Sequence, residues 1–118
     1  MQPEVLQSYF KRGVATLCVL SLLREGEMYG YEIAQALGDI SGGRFVLPEG
    51  TLYPILYRLE DNGYLDTKRV LVGKRMTRVY YLLTERGRQY CDTLLEDYQS
   101  IQTGVQLILE HRGTERRK

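Results

Sequence analysis

Two strand-forming runs, Tyr64 to Val72 and Arg75 to Leu83, flank Gly73-Lys74 in a chain that otherwise reads as helix. This hairpin, set after three short helical segments and before one long one, restricts the fold more than any other feature. Val70, Val72, Val79, Tyr80 and Tyr81 are β-branched or aromatic and suit a pleated surface, and Gly73-Lys74 suits a tight tip. Upstream, Val14 to Leu23 is apolar nearly all round, which predicts a helix buried on most sides. "REGEMYG" breaks that pattern, with Gly26 as its natural stop. A second helix follows with Ile33, Ala34, Leu37 and Ile40 on one face, and "SGGR" at 41–44 ends it. Downstream, Thr84 is a good N-cap and Glu85 suits the first turn of a helix running to about His111.

The third helix carries a conflict. In "LPEGTLYPILYRLEDNGYL", Leu52, Ile55, Leu56 and Leu59 share one face at helical spacing, yet Pro54 sits among them. A proline is tolerated in a first turn, where its missing N–H would have no intrahelical partner. Regular helix is therefore expected to begin near Glu49 to Leu52, with a kink or a tightened first turn. Gly63 in "DNG" suits the left-handed residue that closes it.

The order helix, helix, helix, hairpin, long helix predicts a mainly α chain with a small β-hairpin. This is the pattern of a winged helix-turn-helix, whose third helix enters the DNA major groove. We expect that body over residues 1–83, a C-terminal dimerisation helix over 84–112 and a mobile basic tail over 113–118. Backbone N–H groups at the start of the third helix, with the Thr51 hydroxyl and Tyr53, could grip phosphates. An ordinary core helix with a fortuitous kink is the plainer alternative. Between Lys68 and Arg78 lie five basic residues, Lys68, Arg69, Lys74, Arg75 and Arg78, and no acid. Such a wing can sit by phosphates or reach into a minor groove; a solvated edge that resists aggregation has the same look.

Composition narrows the rest. The chain has 118 residues, the size of one domain, with 16 basic against 15 acidic residues, so net charge does not announce a nucleic-acid binder. Cys18 and Cys91 lie far apart in apolar patterns and read as buried, reduced thiols of a cytoplasmic protein. No signal peptide is visible, and the longest apolar run falls well short of the roughly 20 residues a membrane span needs. His111 is the only histidine. No nucleophile–base pair, phosphate loop or metal-ligand cluster appears, so neither an enzyme nor a cofactor or metal is expected.

The last helix makes its own argument. Cys91, Leu94, Tyr98, Ile101, Val105 and Ile108 step by 3 and 4 in alternation, an a/d seam over almost three heptads. Leu95 and Leu109 widen it. We expect one side to pack on Val14 to Leu23 and the other across a two-fold axis. Gly104 would allow close subunit approach or weaken the helix.

"LSLLREGEMYGYEIAQAL", "PEGTLYPILYRLEDNGYL" and "RVYYLLTERGRQ" together resemble the PadR family of bacterial transcriptional regulators. The resemblance covers nearly all of residues 10 to 110. The runs at 29–33, 50–54 and 80–84 carry it by their order and spacing. It implies a repressor that binds a near-palindromic double-stranded DNA operator as a homodimer and is relieved by a small molecule or stress signal. With one helix after the wing, the chain looks like the short subgroup. Thr51, Tyr53 and Arg58 fall on that family's recognition-helix positions, and Lys74, Arg75 and Arg78 on its wing. With Tyr29 and Tyr57 they form the expected DNA-contact set. Val79 and Leu82 depart from the basic residues of many relatives, which would weaken wing electrostatics.

The short subgroup also implies an apolar pore at the dimer interface. A planar apolar effector there would meet Tyr98, with Phe10 and Val14 as further lining and Ala15 and Asp97 as weaker candidates; a core tyrosine is the plainer reading of Tyr98. The competing function is a winged-helix interaction module that works through its C-terminal helix without specific DNA binding.

Overall fold

The computed structural model describes residues 14–112. Helix α1 covers 14–23 of these, followed by strand β1 (Met28–Tyr29), α2 (Gly30–Ile40), α3 (Glu49–Asp61), β2 (Leu65–Val72), β3 (Met76–Leu83) and α4 (Glu85–Glu110). Phe10 and the tail at 113–118 lie outside the described residues.

The apolar faces read from the sequence build the core. Ala15, Val19, Leu20 and Leu23 of α1 meet Ile33 and Leu37 of α2 and Leu52, Ile55, Leu56 and Leu59 of α3, all buried. Burying each large aliphatic side chain contributes about 1.5–3 kcal/mol. Ile40 is a correction: it continues the α2 face by spacing but is 72% exposed. The helix ends there, because Gly42 and Gly43 adopt positive φ and donate back to the Asp39 and Gly38 carbonyls.

The hairpin is part of a three-stranded antiparallel sheet in the order β1-β3-β2. Met28 and Tyr29 pair with Tyr81 and Tyr80. A two-residue strand is too short to show a period of two, which is why the sequence yields only two strands. Val72 pairs with Met76, so the tip is the three residues Gly73-Lys74-Arg75 rather than Gly73-Lys74 alone. Gly73, the first of the three, takes a positive φ (71°), which glycine adopts at little cost.

Pro54 also corrects the expectation. It is the sixth residue of α3, beyond the first turn, and removes the bond that the Gly50 carbonyl would accept. The tightened start is present: the Thr51 N–H donates to the Pro48 carbonyl at 2.9 Å, beside the regular bond from Leu52 at 3.0 Å. At the other end Gly63 (φ 82°) donates to Glu60 and Tyr64 to Leu59, closing α3 as a Schellman motif.

Helix α4 is anchored at its first turn. The Thr84 hydroxyl accepts from the Gly87 N–H at 2.9 Å and donates to the Gly63 carbonyl at 2.8 Å. Tyr64 and Tyr90 stack at 4.2 Å, and Arg86 lies over Tyr64 while donating to the Asn62 carbonyl at 2.8 Å. Further along, Arg24 at the end of α1 bonds the Arg88 carbonyl and the Asp92 carboxylate. Beyond that point Leu94 still packs on the core, and farther out Ile101, Val105 and Ile108 are 67%, 48% and 74% exposed.

Candidate nucleic-acid interface

Helix α3 presents its apolar face to the core, which turns Tyr57 and Arg58 outward and leaves Thr51 and Tyr53 half-buried. The start of α3 is less open to phosphates than its sequence suggests. Two of its N–H groups, those of Thr51 and Leu52, are spent on Pro48, and Glu49 puts a carboxylate in the first turn. That acid complements the helix dipole and competes with any other anion for it.

Tyr53 is held rather than free. Its phenol lies across Gly30, so close that a Cβ at residue 30 would stand 2.2 Å from the hydroxyl. Burial, then nearby Glu49 and Tyr57, raises its pKa above the ordinary phenol value. The Tyr53 and Tyr57 rings lie 6.0 Å apart. Arg58 sits in the last turn of α3, where it complements the negative end of the dipole.

On the sheet, Lys74 and Arg75 occupy the exposed tip. Lys68 is spoken for, paired with Glu27 at 2.9 Å. Arg78 lies over the Tyr29 ring at 4.3 Å, and Tyr29 meets Tyr80 edge-on at 5.4 Å. Tyr29 thus reads as a platform for Arg78, while its N–H donates to Glu32 in the first turn of α2. Leu82 and Val79, the departures noted above, are both half-buried on opposite faces of β3.

Between α3 and the sheet runs a cleft of about 400 Å³. Tyr53, Tyr57 and Glu60 line its α3 wall, and Thr67, Arg69, Thr77 and Arg78 its sheet wall, with Tyr81 at the floor. Burial pushes the Tyr81 phenol up to about 12, helped by Tyr57 and Glu60. The structure therefore brings Tyr29, Tyr53, Tyr57 and Arg78 together around one cleft. Lys74 and Arg75 lie at the tip of its sheet wall, and Arg58 and Thr51 stand outside the cleft on α3. Sequence reasoning missed Thr67, Thr77 and Glu60 and did not separate Arg69 from the basic run. The odd-numbered alternation 67, 69, 77, 79, 81 was the available signal, since one face of a strand repeats every two residues.

The second candidate region lies between α1 and α4. Val14, Leu94, Asp97, Tyr98, Ile101 and Val105 line a cavity of about 610 Å³. On the other side of Tyr98, a groove of about 540 Å³ reaches Cys18 and Cys91. Both thiols are free, and burial raises the Cys18 pKa. Ala15 is fully buried in the core and does not line either space.

A helix-turn-helix body whose third helix and β-hairpin flank one cleft defines a winged-helix protein. More narrowly, the chain belongs to the PadR-like family of transcriptional regulators, whose family model matches residues 19–93. A PadR family transcriptional regulator from Eggerthella lenta has the same fold with a TM-score of 0.82 and 29% identity, over 92% of this chain and 93% of that one. A transcriptional regulator from Clostridium thermocellum gives 0.76 and 34% over 80% and 92%. Bacillus subtilis PadR, solved in complex with operator DNA, gives 0.66 and 29% over 70% of this chain but 46% of that one. This chain thus spans nearly the whole of the first two relatives and less than half of the third.

Proposed function

We propose that this regulator binds a near-palindromic double-stranded operator as a homodimer and acts as a repressor. The two α3 helices would lie in successive major grooves roughly 34 Å apart, with each hairpin tip in an adjacent minor groove. The observation that carries this is the joint placement of the outward face of α3 and the Lys74-Arg75 tip on either side of one cleft. The operator complex of the Bacillus relative supports it. The exposed stripe of α4 supplies the self-complementary surface for the dimer, with Cys91 and Leu94 at its buried end. On this reading residues 1–83 read DNA and 84–112 dimerise.

The cavity beside Tyr98 suits a planar apolar effector, stacked on Tyr98 and flanked by Val14, whose binding would shift α4 against α1 and release DNA. Nothing in this function requires catalysis, and it places the protein in the cytoplasm with its DNA. No helix among the described residues is long and apolar enough to cross a membrane.

Fluorescence anisotropy with DNA from upstream of its own gene, against scrambled DNA across a salt series, tests the reading. Preferential binding that weakens steeply with salt is expected, through counterion release. Equal weak binding to both sequences would remove that DNA as the operator, and no binding at low salt would overturn the function.

A further inference from the structure

The cleft between α3 and the hairpin holds charges of both signs, which neither groove contact explains. Arg69 enters it from the sheet, Arg78 stands at its rim over the Tyr29 ring, and Glu60 enters from α3. Glu60 is fixed there: the Thr67 hydroxyl donates to its carboxylate at 3.1 Å across the gap between helix and strand. Among the described residues Glu60 forms no salt bridge with either arginine. The cleft is thus a polar channel with one cation that has no salt bridge among the described residues, Arg69, on one wall and a tethered anion on the other.

In duplex DNA one sugar–phosphate strand separates each major groove from the neighbouring minor groove. A protein with α3 in the first and the hairpin tip in the second has to straddle that strand. The space it leaves for the strand is this cleft. We propose that the cleft seats the strand between the grooves, with Arg69 on its phosphates and Glu60 opposing it as a brake on affinity. The inference rests on the DNA-binding function above and adds residues to it. Tyr53 and Tyr81, phenols that are protonated at neutral pH, add neutral walls rather than further negative charge. Glu60 lies within one screening length of any phosphate in the cleft, so its repulsion is felt at moderate salt and fades as salt rises.

The test uses the full chain and a fluorescein-labelled mixed-sequence duplex long enough for two half-sites, titrated over a salt series. Glu60→Gln keeps an oxygen for Thr67 and removes the charge. It should bind roughly threefold or more tightly at low salt, with the gain closing at high salt. Arg69→Ala, at an exposed position that leaves the core intact, should weaken binding and reduce the slope of log affinity against log salt by about 0.9. Arg75→Ala, at the hairpin tip, reports on DNA binding independently of the cleft. If Arg75→Ala lowers the slope while Arg69→Ala and Glu60→Gln match the wild type, DNA binding stands and the cleft proposal falls. A Glu60→Gln protein that binds more weakly at unchanged melting temperature also overturns the brake. If the wild type shows no salt-dependent affinity, the function and this inference fall together.

Discussion

Two glycines in this chain owe their identity to what lies above them. A Cβ at Gly30 would meet the end of the Tyr53 side chain, and one at Gly87 would stand 2.1 Å from the Tyr64 backbone carbonyl. Helix propensity favours alanine at both by up to about 1 kcal/mol, so the sign of each substitution depends on whether the obstacle can move. A phenol can swing and a backbone carbonyl clamped by Thr84 cannot. Gly87→Ala should therefore destabilise by about 1–3 kcal/mol, and more than Gly30→Ala, in urea unfolding. Gly30→Ala should instead show its main effect in DNA anisotropy, because it displaces Tyr53 at the cleft. Tyr81 offers a pH signature. Its folded pKa of about 12 lies above the ordinary phenol value near 10. Above the unfolded pKa the unfolded chain gives up this proton first. Stability is then full below about pH 10 and is lost as pH rises toward about 12. Tyr81→Phe should flatten that decline in urea midpoints measured against pH.

Elements differ in how much of them the sequence discloses. The faces of α1, α2 and α3 were legible because a helix repeats its apolar residues every three or four positions, and Leu52, Ile55, Leu56 and Leu59 are buried as that pattern requires. The Thr84 cap and the Gly63 stop were legible because their chemistry is local. Strand β1 was not, since two residues carry no period and its formation depends on Tyr80 and Tyr81 fifty positions away. The cleft was legible only in part for the same reason: Glu60 and Thr67 meet through the turn after α3, which spacing along either element alone does not show. Pro54 is where local rules and structure disagree, being exposed in the second turn of a helix it should break. Pro54→Ala restores a donor to the Gly50 carbonyl at the cost of a freer unfolded chain. We expect a net stabilisation of about 1–2 kcal/mol in thermal unfolding, with altered DNA affinity because the start of α3 would straighten.

At the scale of the whole molecule, the stripe of α4 left exposed among the described residues is the surface on which the proposed dimer depends. Val105→Asp places a charge in the outer half of the seam, at a residue that is 48% exposed and outside the buried core. Sedimentation should show a monomer, and affinity for a two-half-site duplex should fall by roughly 10²-fold or more as the linked second contact is lost, while circular dichroism of the monomer stays native. A Val105→Asp protein that still sediments as a dimer would move the interface elsewhere. The joint at the root of α4 has a mechanical consequence. Arg86, Tyr90 and Thr84 bolt the first turns of this 26-residue helix to the turn that ends α3, Arg24 holds it at Asp92, and the rest extends from there to Glu110. At 1.5 Å per residue the stretch from Asp92 to Glu110 is an arm of about 27 Å, and a tilt of about five degrees at its root sweeps the far end by roughly 2 Å. Run in reverse, the arm is a reduction gear: a displacement of several ångströms at its tip reaches α3 as a rotation of only a few degrees, the scale on which a recognition helix gains or loses register with a groove.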